Sequence, residues 1–426
     1  MSVAALSPAG GEPSRARQRV IVFALLVTAI AYIDRICISM AAPAMRAELG
    51  ISDAQMGYVF SAFTLAYALF EVPSGWLADR FGARIMLARI VVWWSLMTAA
   101  TGLAAGFASL LVIRLLFGMG EAGVFPSVTR AFGRWLPLSE RGRAFGLTFM
   151  AGGLGGAVTQ PLVVAMLQWM HWRHTFMVFG VIGLIWAVAW YWWFRDDPQE
   201  HQSVNAAELR VIGSGPPQPH GKVPWAALWR SPNLMALCGT HMFAIYGWYF
   251  YLTWLPTYLL RARGFDLAQV GWLAGLPLLT IAGGLLFGGW ASDRLSRRFG
   301  MRTGRRIPGL VGQPLAAVAI CAAALVESST ASALYLGAAA GLGAFGVSPS
   351  WAACLDISGR HAGVVGGVMN TFGNLGGALS PMVVGWTLEH WGGWTPSLMS
   401  IAVCYVLAAA CWLRIDAEEP IEGTAG

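Results

Sequence analysis

Long apolar runs alternate with short polar stretches along this chain. A helix that spans the hydrocarbon core of a membrane needs about 20 mostly apolar residues. Reading with that window gives twelve segments, at about 20–42, 54–77, 84–105, 108–130, 143–168, 174–194, 233–260, 268–290, 307–326, 332–355, 361–387 and 394–413. Each is expected to be a helix, because a helix satisfies its backbone N–H and C=O groups internally where no water can reach. Glycine and proline inside the runs do not argue against this, since membrane helices tolerate both. The first run follows Arg15, Arg17 and Arg19, as the apolar region of a signal peptide would. It is too long for that and holds Asp34-Arg35 in its interior, so an uncleaved first helix is expected. The one long polar stretch, 195–232, contains Pro198, Pro216, Pro217, Pro219 and Pro224. It divides the chain into an N-terminal six-helix bundle (1–194), a cytoplasmic linker loop (195–232) and a C-terminal six-helix bundle with a short cytoplasmic tail (233–426).

Composition narrows the class. The chain is 57% hydrophobic and 12% charged, against about 25% charged in a soluble globular protein. That excludes disorder and leaves too little polar surface for a soluble fold. The net charge of +7 does not point to nucleic acid, because no basic stripe with interleaved aromatics is present. The basic residues set sidedness instead. With the N-terminus inside, 21 lie in cytoplasmic segments and 4 in outer loops. This bias predicts a multi-pass protein of the plasma (bacterial inner) membrane with both termini cytoplasmic. The six cysteines lie in apolar runs without metal-ligand or redox spacing and read as packing residues. The seven histidines are scattered, so no catalytic or metal-binding set is expected.

The two bundles resemble each other. Gly75-Trp76-Leu77-Ala78-Asp79-Arg80 follows the second run, and Gly289-Trp290-Ala291-Ser292-Asp293-Arg294 follows the eighth. Leu154-Gly155-Gly156-Ala157 in the fifth run, with Pro161 beyond it, matches Leu375-Gly376-Gly377-Ala378 in the eleventh, with Pro381 beyond it. Six spans per half relate the halves by an axis along the membrane normal. Transporters built this way hold substrate near the midplane between the halves and rock about it.

Here the chain resembles a known family. The pattern of Gly75, Asp79, Arg80, Gly82 and Arg84 is similar to the loop 2–3 signature of the major facilitator superfamily. Arg114, Gly118, Gly120, Glu121 and Ala122 are similar to its proton-coupling signature. Tyr32-Ile33-Asp34-Arg35, Gly57-Tyr58-Val59-Phe60-Ser61-Ala62-Phe63, Trp254-Leu255-Pro256-Thr257-Tyr258 and Asn370-Thr371-Phe372-Gly373-Asn374-Leu375 resemble its anion:cation symporter family. That family includes bacterial sugar-acid carriers, of the hexuronate and galactonate type, and vesicular anion carriers. The resemblance implies an all-α polytopic membrane protein, with 12 transmembrane helices in two six-helix pseudo-symmetric halves (the major facilitator fold). It also implies that Gly75, Asp79, Arg80 and Arg84, with Asp293 and Arg294 as their counterparts, latch the outward-facing state.

Charges at the bilayer midplane cost about 2.5–3.5 kcal/mol each on insertion scales, so those inside runs are the sharpest clues. They are Asp34, Arg35, Glu71, Arg89, Arg114 and Glu121. Adjacent helix residues point about 100° apart, so Asp34 and Arg35 need not pair with each other. Arg114 and Glu121 share a face, and Gly118 and Gly120 between them leave room for a ligand or a neighbouring helix. Two readings stand. In one, Arg35 and Arg114 bind an anionic group, which a guanidinium fork matches. Asp34 and Glu121 then exchange protons and hold the arginines when the site is empty. In the other, the four form interhelical ion pairs that only hold the N-terminal half together. Related carriers use the matching positions in the first way.

Glu71 departs from many similar sugar-acid carriers, which have glutamine there. Tyr67 lies one turn earlier on the same face and is expected to offer a cavity hydroxyl. Glu71 is then a third proton carrier, a partner for the inner gate, or half of an ion pair with a nearby arginine such as Arg89. Gly152 departs too, since some relatives place Gln or Arg there against substrate; close helix packing is the other reading. By resemblance, Ser348, Ser350, Trp351 and Asn374 touch substrate hydroxyls or its carboxylate. Asn370 shares the face of Asn374, and Tyr32 joins the substrate set with its motif. Interhelical hydrogen bonding is the alternative for these polar groups. Of the aromatic run in the seventh span, Tyr249 or Tyr251 could line the cavity, while most should pack.

The expected function is proton-coupled symport (uptake) of an organic anion, a sugar acid or related carboxylate, by rocker-switch alternating access. An organic-anion exporter or exchanger is the alternative within transport, and a membrane nutrient sensor the alternative outside it. The expected partners are the anion, protons and the lipid bilayer. The chain is expected to act as a monomer without cofactor or metal, with the proton gradient as its energy source.

Overall fold

Apolar runs of this length leave helix as the way to satisfy the backbone, and the described residues are helical without a strand. The computed structural model describes residues 12–213, 225–358 and 362–421, apart from the side chains of residues 79, 138, 139, 362 and 363. The N-terminal half comprises α1 (Ala16–Leu49), α2 (Asp53–Phe81), α3 (Ala83–Thr101), α4 (Phe107–Glu121, resuming as Val124–Trp135), α5 (Leu138–Trp169) and α6 (Trp172–Trp193). The C-terminal half comprises α7 (Pro232–Thr253, then Leu255–Arg261), α8 (Leu267–Leu273, then Leu276–Phe299), α9 (Met301–Leu325), α10 (Ser329–Ala344, then Val347–Ser358), α11 (Ala362–Trp391) and α12 (Trp394–Trp412). Ten of these are long and apolar enough to cross a membrane. The other two, α7 and α11, are diluted by tyrosines and His241 or by glycines and asparagines, and pack against each other. Large apolar side chains such as Leu286 and Leu325 are exposed on the outside of the bundle, where lipid rather than water suits them.

The helices overrun the apolar runs at the end of the molecule that carries the termini. Residues 294–306, expected to be a loop, continue α8 and open α9 around the single residue Gly300. The turn between α2 and α3 is likewise one residue, Gly82. The two glycines share a backbone conformation, φ +86° and ψ 158° at Gly82, φ +85° and ψ 160° at Gly300, which is essentially open to glycine alone. Each following helix starts under a carboxylate from beyond the last helix of its own half. Asp196 Oδ1 accepts from the N–H groups of Ala83 (2.6 Å) and Arg84 (3.3 Å), and Glu418 Oε1 accepts from that of Arg302 (3.1 Å). Negative charge is stabilising at a helix N-terminus, where the N–H groups lack intrahelical partners. The linker repeats the device on α1. Its helix Ala206–Ile212 brings the buried Glu208 to the N–H groups of Arg15 and Arg17 at 3.1 Å, and to the Arg17 guanidinium at 2.8 Å. This part of the linker is therefore docked on the N-terminal half; residues 214–224 lie outside the described residues.

The apolar packing shows how the halves meet. One buried cluster draws on both halves, joining Met56, Val59 and Phe60 to Phe250, Tyr251 and Trp254 at the end away from the termini. Two further clusters, one in each half, occupy the termini end. Glycines allow the close approach at the far end. A Cβ on Gly57 would lie 2.5 Å from the Pro381 carbonyl oxygen, and one on Gly385 2.5 Å from that of Asp53, so α2 and α11 touch backbone to backbone. Along the other seam, α5 and α8 meet at Gly271, Gly275 and Gly156, whereas a Cβ on Gly153 or Gly283 would touch nothing within 4 Å. The halves are thus closed together at the far end and apart at the termini end.

Candidate functional site

α1 sends its two adjacent charges in different directions. Arg35 turns towards the space between the halves and is 14% exposed, while its partner Glu121 is fully buried. Arg35 Nε donates to Glu121 Oε1 at 2.6 Å. The rings of Tyr67, Phe63 and Tyr32 surround its guanidinium carbon at 4.7, 5.2 and 5.5 Å. Tyr249 reaches this charge from the opposite half, and Glu71 also lies within its field. Among the described residues, no carboxylate hydrogen-bonds the two terminal nitrogens of Arg35.

Asp34 turns into the interior of the N-terminal half. It is buried, with Arg114, Trp94 and Cys37 as neighbours, and among the described residues neither carboxylate oxygen has a hydrogen-bond partner. Arg114 is 2% exposed, its guanidinium carbon 4.6 Å from the Phe117 ring and 5.1 Å from that of Phe63. Among the described residues Arg114 Nε and Glu121 Oε2 are also without partners. The first segment of α4 ends at Glu121 and the helix resumes at Val124. Gly118 and Gly120 serve neighbouring helices rather than a ligand, since a Cβ there would run into the Phe63 carbonyl and the Trp93 indole. The result is two acids and two arginines in one buried cluster, with four polar atoms unmatched. A half-satisfied buried network of this kind is costly unless something completes it.

Glu71 is not paired with Arg89, which is exposed on α3. Its carboxylate crosses to the other half instead. Asn370 Nδ2 donates to both its oxygens, at 3.0 and 2.9 Å, and Asn374 Nδ2 donates to Oε2 at 3.3 Å. The structure therefore brings Tyr32, Arg35, Tyr67, Glu71, Glu121, Asn370 and Asn374 together, with Asp34 and Arg114 one layer behind. It does not bring the two serines to them with free hydroxyls. Ser348 Oγ donates to the Leu285 carbonyl at 2.8 Å, and the buried Ser350 donates to that of Val347 at 2.7 Å. Trp351 is 38% exposed and edge-on to His241 at 5.6 Å. Gly152 is a packing position, since a Cβ there would lie 2.8 Å from the Tyr32 ring.

The residues expected to form the gate lie at the termini end. Gly75 sits opposite Pro126. Arg80 rests over Trp76 and Phe81, and Arg294 over Trp290. Arg84 donates to the Tyr191 carbonyl at 2.9 Å. Asp293 pairs with Arg305 at 2.6 Å, and Arg305 also holds Asp356 at 2.8 Å, tying α8, α9 and α10 together. The Asp79 side chain lies outside the described residues. Sequence reasoning did not assign Arg305 and Asp356, nor Trp94 beside Asp34. Tyr249 was one of two candidates, and its reach to Arg35 across the halves has no signal in a single chain. A separate cavity of about 610 Å³ opens at the far end, lined by Met40, Pro43, Glu48, His171, Leu260 and Leu267 among others. It lies away from the charge cluster. Glu48 there is held within its own half by Trp172 Nε1 (2.6 Å) and Arg173 (3.0 Å).

Known proteins share this architecture. Residues 24–381 match the Major Facilitator Superfamily. The chain is 37% identical to a probable sulfoacetate transporter, SauU, of Cupriavidus necator, over 89% of this chain and 90% of that one. It is 30% identical to a D-galactonate transporter of Escherichia coli O6:H1, over 95% and 96%. It is 32% identical to a probable galactarate/D-glucarate transporter, GudP, of Bacillus subtilis, over 97% and 94%. Among solved structures, a bacterial homologue of the human lysosomal transporter Spinster, in an inward-facing and unoccupied conformation, superposes with a TM-score of 0.76 at 22% identity, covering 95% of this chain and 97% of that one.

Proposed function

The chain belongs to the major facilitator superfamily, and from that premise we propose that it takes up an organic anion together with protons by alternating access. The buried charge cluster carries this reading. Asp34, Glu121, Arg35 and Arg114 are formally neutral together. A substrate anion on Arg35 adds a buried negative charge, which is expensive without compensation. Protonation of Glu121 or Asp34 restores the balance and frees guanidinium donors for the anion, so substrate and proton load together. Arg35 is the binding fork, reached from the space between the halves. Arg114 holds the acids from behind, and Tyr32, Tyr67 and Tyr249 wall the site.

The distribution of arginines supports cytoplasmic termini in a bacterial inner membrane. The end where the halves are apart is then the inner one, and the structure is the state that releases substrate to the cytoplasm. One chain encloses the site, so it works as a monomer, and the proton gradient supplies the energy without a cofactor. The substrate is a sugar acid or related carboxylate, the class shared by the names of the relatives.

The test is uptake into liposomes with an imposed pH gradient, acidic outside, using sulfoacetate, D-galactonate and D-glucarate. Accumulation of one of them is expected in wild type. Glu121→Gln should lose gradient-driven accumulation and retain exchange of labelled for unlabelled anion. Full gradient-driven uptake by that variant would remove Glu121 from proton coupling.

A further inference from the structure

We propose that Glu71 is a tethered stand-in for the substrate's anionic group, and therefore a residue that sets which anions load and how tightly. The inference rests on the anion-carrier reading above. All three hydrogen bonds to the Glu71 carboxylate come from side-chain amides of the opposite half, Asn370 and Asn374 on α11. Two neutral amides arranged to donate to one carboxylate form a receptor for an oxyanion. The receptor is filled from within the chain by a residue on α2. Glu71 lies in the field of Arg35 but makes no ion pair with it. Arg89, the partner considered for it from the sequence, is exposed.

Among the described residues Glu71 is thus held by amides alone, tethered to α2 and out of ion-pair range of Arg35. A free oxyanion is not tethered and can sit nearer the terminal nitrogens of Arg35 while still taking the amides. An arginine fork adds two parallel bonds and a full opposite charge, which neutral amides cannot supply. The free anion has the stronger set of contacts, and its loading requires Glu71 to give up the amides, because two adjacent anions repel each other. Loading then also removes a bond between α2 and α11, which couples occupancy to the seam that must move. The receptor selects anions with at least two acceptor oxygens at one end, carboxylates and sulfonates, over halides.

The experiment is calorimetric binding of sulfoacetate, D-glucarate and chloride to the purified full chain. The variants are Glu71→Gln, the double variant Asn370→Val with Asn374→Val, and the triple combination. Glu71→Gln should bind the preferred oxyanion about tenfold more tightly than wild type, since the displaced group now leaves a neutral bond. The asparagine double variant should bind it more weakly, and adding Glu71→Gln to that background should give no gain. Chloride should not bind any of them. Glu71→Ser, which also removes the charge, should show the same ordering if Glu71→Gln folds poorly. Unchanged or weaker binding by both charge-removing variants would show that Glu71 is only a strut, and overturn the proposal. A tenfold gain that persists without the asparagines would overturn it too, as simple charge repulsion. If neither oxyanion binds wild type or Glu71→Gln, the carrier reading itself fails; if wild type binds and Glu71→Gln gains nothing, only this inference fails.

Discussion

Arg35 and Arg114 carry the same charge and are built for different work. Arg35 gives only its Nε to Glu121, and among the described residues no carboxylate meets its terminal nitrogens. Replacing it by lysine keeps a cation beside Glu121 but loses the fork, so thermal stability should change little while affinity for a carboxylate falls at least about tenfold. Arg114 is buried between Asp34 and Glu121. Arg114→Ala leaves those buried acids without a nearby compensating positive charge, and an uncompensated buried charge is costly. That variant should show a lowered unfolding temperature in detergent before any binding is measured. Equal stability losses for Arg35→Lys and Arg114→Ala would refute the division. The four charges were legible in the sequence because charge is rare inside its apolar runs. Their neighbours were less so. Helix phase predicts that Asp34 and Arg35 part ways, but not that Glu71 meets amides 299 and 303 residues away. Phase says which face a residue occupies, not which helix covers that face.

At the scale of elements, twelve spans and the internal repeat could be read from apolar runs and the two Gly-Trp…Asp-Arg segments. The turns between α2 and α3 and between α8 and α9 could not. Each is a single glycine closed by an acid 113 or 116 residues away in sequence, and nothing local marks that partner. The turns are also the sharpest points at which to test the repeat. Alanine at Gly82 would adopt a backbone conformation reserved for glycine and place a Cβ 2.5 Å from Asp196 Oδ2. Its cost should be about 1–3 kcal/mol. Gly300→Ala has the same backbone penalty, with its nearest atom, Glu418 Oε1, at 3.1 Å, and should cost less. Asp196→Asn, which keeps a side-chain acceptor and loses only the charge at the helix end, should cost about 0.3–1 kcal/mol. Unfolding temperatures should fall in that order, Gly82→Ala lowest. An Asp196→Asn loss as large as that of Gly82→Ala would mean that the cap, not the backbone, decides the turn.

For the whole molecule, the question is what holds the halves together at the far end. Among the described residues, two polar contacts cross there. Arg261 pairs with Asp53 at 2.8 Å, and Glu389 accepts from the Ala54 N–H at 2.9 Å at the start of α2. Arg261 is 47% exposed, and an exposed ion pair contributes about 0–1 kcal/mol. A carboxylate at a helix N-terminus adds about 0.3–1 kcal/mol. The apolar cluster is larger, since each fully buried large side chain contributes about 1.5–3 kcal/mol and Met56, Phe60, Phe250 and Trp254 all belong to it. That contribution depends on backbone contact at Gly57 and Gly385. The apolar seam should therefore dominate closure and the polar contacts trim it. Spin labels placed across the far end, with distances measured by pulsed EPR in lipid, can separate the two. Arg261→Ala combined with Glu389→Gln should leave the closed distance as the main population. Gly57→Leu should drive the population towards a longer distance, because its side chain has to displace the Pro381 carbonyl. It should also cut uptake more than it cuts anion binding, since it blocks a step of the cycle and leaves Arg35 intact. The reverse ranking, with the polar pair opening the far end and Gly57→Leu leaving it shut, would assign the gate to charge instead of packing.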